Sequence, residues 1–436
     1  MYIDLHNHLY GCLPPETLFR IGKKNPNPRW HLYLDYYEKA YGTKIRPSTF
    51  FDDYADKNEF AKLYHFREKA PFLHFQAKFN LIIALVKFDE PEITEVSHDV
   101  VFSNSLEDIS YAEYRLMFGK EEPKESFYSK LMASLEGLKK GEESAKKAGK
   151  PIQGKLVMSL HRDLNFERHY DWMKNWMEKE SVIREGLVGI DFCHIEEGHP
   201  PKDKQSFFQS IQKDNRAEPN TALSILYHVG ESFRDKTPFS AVRWILESAE
   251  FGAHRLGHAL ALGIDSDYFL GEERTEFVSE AKDQVEHELM YYDEITTYGP
   301  FYAKEELEIK RKEYKTKPDT EILTIPFDET QSQYLHTFQN YAMSKIAKSN
   351  AVIECCPSSN LYIGMLESHI DHPITRFLQN DLKLTIGSDD PGLFGTTMAE
   401  EYQHAHTAGV SDKDLEILRS VSLDYRSTKL SGRELD

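Results

Sequence analysis

Cysteine is scarce in this 436-residue chain, and the four present, Cys12, Cys193, Cys355 and Cys356, form no Cys-x-x-Cys pair and no evenly spaced framework. That excludes a disulfide-stapled scaffold, so all four read as reduced thiols. A bridge between neighbours Cys355 and Cys356 would be strained, and strand packing is the expectation for both. Long apolar runs are missing too, with nothing near the ~20 residues of a membrane span. Bases are outnumbered, 53 Lys and Arg against 72 Asp and Glu for a formal charge of -19. No basic stripe interleaved with aromatics relieves that deficit, which argues against a nucleic-acid partner. The first strand candidate starts at Met1, leaving no room for a secretory leader, so a cytoplasmic protein with a small-molecule partner is expected.

Apolar residues make up 40% of the chain and aromatics 12%, enough for a large core. Length alone would suggest two or three domains, but single α/β barrels commonly run this long. Eight segments carry a strand signal, at 2–8, 109–117, 154–161, 187–193, 222–228, 254–258, 351–355 and 382–388. Between most of them lie stretches of helical period, such as Pro238 to Phe251 with Phe239, Val242, Ile245, Leu246 and Ala249 on one face. Strand and helix alternating to a count of eight predicts a (β/α)8 TIM barrel, one domain over 1–436. Two intervals exceed a single crossover. Residues 9–108 hold about three helical patterns, including Phe60 to Val86, and are expected to form a helical cap. Residues 265–345 are charge-dense and weakly periodic, and are expected to be an inserted helical segment, either a lid or a subunit contact.

The chemistry-bearing residues stand at the ends of these strand candidates, where catalytic groups of such barrels sit. His6 and His8 are two apart, so on a strand both point to one side and make half a metal site. Alone they would read equally well as core or surface histidines. His228 ends an apolar strand and Glu231 follows it after Gly230, which lets the backbone turn sharply. The bland reading of Glu231 is a helix cap. Asp389 and Asp390 close another strand, where an ordinary Asp-Pro turn is the plain alternative, and a carboxylate beside imidazoles suits zinc. His258 is a fifth candidate, with a core histidine as its rival.

Five motifs occur in order: His6-Asn-His8-Leu-Tyr-Gly11, His228-Val-Gly-Glu231, Arg255-Leu-Gly-His258, Cys356-Pro-Ser-Ser359 and Ser388-Asp-Asp-Pro391. With Tyr111-Ala-Glu-Tyr-Arg115 on the second strand, the chain resembles the adenosine deaminase family of the amidohydrolase superfamily, which includes the growth-factor-like adenosine deaminases. The resemblance spans the barrel and leaves 265–345 uncovered. It implies one Zn2+ per chain on His6, His8, His228 and Asp389, making a water nucleophilic at neutral pH. It implies that Glu231 protonates purine nitrogen 1, that His258 assists the attack on carbon 6, and that His8, Tyr10 and Asp390 face the substrate, Asp390 through nitrogen 7. Zinc deaminases of the Pro-Cys-x-x-Cys type are excluded by the cysteine spacing.

Two departures bear on the substrate. Tyr10 stands where adenosine-selective members carry an Asp that bonds the sugar, and the stretch Ile190 to Glu196 lacks the glycine that lines the purine. His194 in that stretch receives no role. The expected reaction is hydrolysis of adenosine, or a close 6-aminopurine nucleoside, to inosine and ammonia. Adenine or a 5′-modified adenosine is the alternative within the class, and a non-catalytic nucleoside-binding or signalling protein the alternative outside it. A nucleotide is disfavoured because no Lys/Arg cluster adjoins the motifs, although side chains of the 265–345 insertion could supply one. Composition leaves the oligomeric state open.

Overall fold

Most of the strand candidates are apolar on both faces, which suits parallel strands held between a barrel interior and a helical shell. In the computed structural model, which describes residues 1–433, the first six pair in parallel in chain order. They are β1 (Tyr2–His8), β2 (Ile109–Met117), β3 (Gln153–Ser159), β4 (Leu187–Asp191), β5 (Ser224–Val229) and β6 (Arg255–His258). An antiparallel ribbon follows, β7 (Glu273–Phe277) with β8 (Ile322–Pro326). Then β9 (Val352–Cys355) pairs with β6, and β10 (Lys383–Ile386) with β9. The seam lies between β10 and β1. There the Asp389 N–H donates to the His6 carbonyl at 2.8 Å and the His8 N–H donates to the Asp389 carbonyl at 2.9 Å. Beside it the Ser388 hydroxyl donates to the buried Asp4 carboxylate at 2.5 Å. Each barrel strand lies within two residues of its expected bounds, and the fold is the (β/α)8 barrel.

The helix over Pro238–Phe251 shows how local sequence sets an element. The Thr237 hydroxyl accepts the Ser240 N–H at its start, Pro238 fills the first turn, and Gly252 at φ 103° ends it. Between β1 and β2 the chain forms six helices rather than about three. The run from Phe60 to Val86 is broken into Lys57–Tyr64 and Phe72–Leu85, because Pro71 cannot continue a helix and disfavours a helical residue before it. One buried apolar cluster joins these helices to the barrel shell, with Tyr10, Phe60 and Leu85 in it beside Phe192 and Ile245. All four cysteines are buried free thiols. No helix among the described residues is long and apolar enough to cross a membrane.

The expectation for 265–345 needs two corrections. The segment contains the ribbon β7/β8 as well as helices at Val278–Met290 and Lys304–Lys315, and the helix Glu329–Ala347 belongs to the barrel shell. That last helix buries Leu335, Phe338, Ala342, Met343 and Ile346 and packs beside Pro238–Phe251. The ribbon is hard to see in sequence because its strands are short, largely solvated and joined through three α-helices, so no hairpin turn marks them.

Buried carboxylates hold the insertion to the loop and helix after β5. Glu276 accepts from the Thr237 N–H at 3.0 Å, the Thr237 hydroxyl at 3.0 Å and the Ser240 hydroxyl at 2.8 Å. This places a carboxylate at a helix N-terminus, where the helix dipole favours it. Glu280 accepts from Arg243 at 2.6 Å and from the Trp244 indole at 2.8 Å, while Arg274 donates to the Phe233 carbonyl at 2.6 Å. Removing the Glu276 acceptor strands three donors. Glu276→Ala is therefore expected to cost about 1–3 kcal/mol of stability, read as a lower urea midpoint with an unchanged slope. A midpoint equal to the parent's would show that the insertion does not brace this helix.

Candidate active site

The barrel brings the expected residues to the carboxyl ends of its strands. One ligand atom each from His6, His8, His228 and Asp389 lie within 4.8 Å of one another. The Asp389 Oδ1 atom is 3.5 Å from His6 Nε2 and 3.2 Å from His8 Nε2. The His6 and His228 ring centroids are 4.6 Å apart, and those of His8 and His228 5.3 Å. Glu231 and His258 stand against the same aspartate, with Glu231 Oε2 3.5 Å from His258 Nε2.

Buried carboxylates set the direction of two of these rings. The Glu354 Oε2 atom is 2.8 Å from His6 Nδ1, and Asp191 Oδ1 is 3.0 Å from His228 Nδ1. With the inner nitrogens so engaged, His6 Nε2 and His228 Nε2 are buried without any hydrogen-bond partner. Two orphaned imidazole nitrogens aimed at one point beside a carboxylate are what a divalent metal would satisfy, and the three-nitrogen, one-oxygen set fits zinc.

The orienting carboxylates belong to an alternating chain of charges inside the barrel. Arg115 donates to Glu354 at 2.6 Å and stands 3.5 Å from Asp191, while Arg255 lies 2.7 Å from Glu354 and donates to Glu113 at 2.6 Å. All five side chains are buried. Burial would push Glu354 up, but Arg115, Arg255 and His6 outweigh it and hold the carboxyl well below its ordinary range. Asp191 is held down in the same way, burial being overcome by His228 and Arg115. Both arginines also donate to the Leu5 carbonyl, tying the network to β1 one residue before His6.

The opposite wall favours neutral acids. Burial, reinforced by the Asp389 charge, raises the Glu231 carboxyl well above its ordinary value, and Glu231 Oε1 has no partner. Burial and the same neighbour push Asp390 up to about 7, and its Oδ1 is unpartnered too. Burial lowers His258, whose Nδ1 is 3.0 Å from the Asn360 amide nitrogen. Asn360 in turn engages His372 Nε2 through its oxygen at 3.0 Å. This relay assigns Nδ1 of His258 as acceptor and leaves an Nε2–H facing Glu231. His258 and Asp389 sit at φ 65° and 60°, rarely populated conformations for such residues. The motif glycines make room here: a Cβ on Gly11 would meet Asp390 Oδ1 at 1.6 Å, and one on Gly257 would meet His6 Cε1 at 2.9 Å.

His6, His8, His228, Glu231, His258 and Asp389 thus converge, with Asp390 beside them. Tyr10 is placed differently from a residue aimed at the site. It is 9% exposed, stacked on Phe88 at 4.3 Å, with its hydroxyl 3.4 Å from Glu92. His194 follows β4 at φ 77°, a left-handed conformation that glycine adopts more readily than histidine. The sequence reading missed Asp191, Glu354, Glu113 and the Asn360–His372 relay. A signal for the first three exists: each is a lone carboxylate inside an apolar strand, and such a charge must be paired to be buried.

Because Asp191 fixes His228 from behind, Asp191→Asn is expected to weaken metal binding by about 10–100-fold while leaving the barrel folded. Metal retained after dialysis against a graded chelator reads this directly. Retention equal to the parent's would mean that Asp191 serves only the charge network.

A family model described as adenosine deaminase matches residues 336–425, a stretch containing the Cys356 and Asp389 motifs. An adenine deaminase of Rhizobium leguminosarum bv. trifolii is 32% identical over 83 residues, 19% of this chain and 26% of that protein. The match thus spans about a quarter of the length of these first relatives. An adenosine deaminase of Clostridium botulinum is 21% identical over 431 residues, 98% of this chain and 93% of its own. Among solved structures, the apo N6-methyl-AMP deaminase of Arabidopsis thaliana superposes with a TM-score of 0.55 at 18% identity, covering 98% of this chain and 91% of that one. A zinc-bound amidohydrolase of Burkhoderia ambifaria superposes at 0.54 with 13% identity, covering 98% and 85%. These structural likenesses show the barrel fold. The family-model match and the full-length adenosine deaminase relative, beside five motifs meeting at one site, make this chain similar to adenosine deaminases.

Proposed function

We propose that this chain hydrolytically removes the 6-amino group of a 6-aminopurine, with adenosine or a close nucleoside derivative as substrate and inosine and ammonia as products. The observation that carries the reading is the pairing of two environments across one small space: three imidazoles and a charged carboxylate on one side, and the raised carboxyl groups of Glu231 and Asp390 on the other. His6, His8, His228 and Asp389 would hold one zinc, which would lower the pKa of a water and polarise the site.

The chain's own residues supply the rest. Attack at carbon 6 breaks the purine's aromaticity and drives charge onto ring nitrogen 1, which must take a proton. Glu231, kept protonated by burial and by Asp389, is the donor. Neutral His258, oriented by Asn360, presents its Nε2–H toward the attacking oxygen and stabilises charge there. Asp390 in its protonated form donates to ring nitrogen 7, which can only accept. His8, the most exposed of the four ligand candidates at 24%, borders the substrate. Tyr10, stacked on Phe88 and turned toward Glu92, belongs to the cap and takes no direct part in this chemistry.

Free adenine is the second reading, favoured by the adenine deaminases among the relatives and by the absence of a carboxylate at Tyr10 to bond a sugar. Ammonia release from adenosine, deoxyadenosine and adenine separates the two. In the same assay Glu231→Gln is expected to keep its metal and lose about 10²–10⁴-fold in turnover, since the amide preserves shape but has no acidic proton to give. Turnover close to the parent's would remove Glu231 from the mechanism, and loss of metal would make it structural.

A further inference from the structure

A buried carboxylate outside the ligand cluster is committed to the backbone of the residue before Glu231. Glu196, in the loop after β4, is 5% exposed, and its Oε2 accepts the Gly230 N–H at 2.9 Å. That is the one hydrogen bond its side chain makes among the described residues, since Oε1 has no partner. Gly230 lies just past the end of β5, so its N–H has no place in the strand ladder, and the carboxylate gives it a charge-assisted bond. The Gly230 carbonyl accepts the Ala261 N–H at 3.2 Å, which fixes the next peptide group, the one that begins Glu231. The turn is packed as well as bonded: Gly230 sits at φ 71°, and a Cβ there would meet Ile245 Cδ1 at 2.4 Å.

The loop that brings Glu196 is itself clasped to the loop that carries Glu231. Glu197 accepts the Ser232 hydroxyl at 2.6 Å, and Asp235 accepts the Gly198 N–H at 2.9 Å. Three consecutive residues, Glu196 to Gly198, thus meet Gly230, Ser232 and Asp235 in order, on either side of Glu231. Arg162 joins the two strand ends, donating to the Phe192 carbonyl at 2.8 Å and the His228 carbonyl at 2.6 Å. An ion pair is the competing explanation for Glu196, because the buried Lys236 Nζ stands 3.8 Å from its Oε1. Lys236 has other partners, however. It donates to Asp235 at 2.5 Å and lies 3.8 Å from the centre of the Trp244 ring. Its distance to Glu196 is too long for a hydrogen bond, whereas the contact with Gly230 is of normal length.

We propose that Glu196 is a positioning residue for the deamination: by holding the Gly230 peptide it aims the Glu231 carboxyl at the substrate, and it acts through that geometry rather than through its charge. This rests on the deaminase reading above. Glu231 Oε1 has no partner and Oε2 stands 3.5 Å from His258 Nε2, so the backbone sets the aim of the acid. Proton transfer requires alignment, and a displacement of about 1 Å can cost about 10²-fold in rate.

The test measures kcat and KM for ammonia release from adenosine, deoxyadenosine and adenine in the metal-loaded parent, Glu196→Gln and Glu196→Asp, each also in the Glu231→Gln background. Glutamine keeps the reach and an accepting oxygen but loses the charge; aspartate keeps the charge but falls one carbon short of the Gly230 N–H. Glu196→Gln is expected to stay within about threefold of the parent, since a neutral acceptor still holds the peptide. Glu196→Asp is expected to lower kcat about 10–100-fold with KM and metal content unchanged. In the Glu231→Gln background the same change is expected to add less than about twofold, because the acid it aims is gone. A loss in Glu196→Gln equal to or greater than that in Glu196→Asp overturns the inference, since a charge-pairing role would give that order. An equal factor for Glu196→Asp in both backgrounds also overturns it, because a purely structural role would act that way. Both outcomes leave the deaminase reading standing. No turnover of any of the three substrates by the parent overturns both.

Discussion

Everything at the active site depends on buried charges that are paired inside the barrel. Asp191, Arg115, Glu354, Arg255 and Glu113 alternate in sign with no exposed surface, and two of the carboxylates face outward from that chain to the imidazoles of His6 and His228. Single charges of this kind would each cost several kcal/mol to bury, and leaving one unpaired is strongly unfavourable. The network is therefore all or nothing. As long as it is complete, the orienting carboxylates stay ionised and the ring nitrogens opposite them stay free to bind a metal. An apolar filling of the same volume could stabilise a barrel equally well, but it could not turn two histidines toward one point.

The same site spends backbone energy. Asp389 and His258 occupy left-handed conformations at strand ends, and the seam between β10 and β1 is made by the strand ends that carry His6, His8 and Asp389. Closing the barrel and assembling the ligand set are thus one event. On the far side the insertion grips the start of the Pro238–Phe251 helix through Glu276 and reaches the Phe233 carbonyl through Arg274. The loop between carries Glu231, so a charged and mostly solvated segment that looks incidental in sequence braces the loop on which Glu231 sits.

The electrostatics divide the pocket into zones of opposite demand. Near the imidazoles, Asp389 stays charged because His6 and His8 offset its burial; one residue away, Asp390 lacks those contacts and is pushed up to about 7. Under the proposed function, adjacent aspartates with different protonation would let one wall hold a cation while its neighbour donates a proton.

The strand count, the barrel and the group His6, His8, His228, Glu231, His258 and Asp389 were legible in the sequence. Strand periodicity and position at strand ends are local properties, and five short motifs preserve their order along the chain. The cap was legible only in outline, since Pro71 splits what periodicity alone would join, and the ribbon β7/β8 was not legible because its strands pair across more than forty residues without a local turn. What tertiary structure alone decided is which charges meet. Glu354 and Asp191 become the orienting partners of His6 and His228, and Tyr10 turns into the cap toward Phe88 and Glu92. These outcomes depend on distances between residues far apart in the chain. Sequence determines which side chains are available and which face of an element they occupy; the packed barrel determines which of them are close enough for a Coulomb or hydrogen-bond interaction to matter.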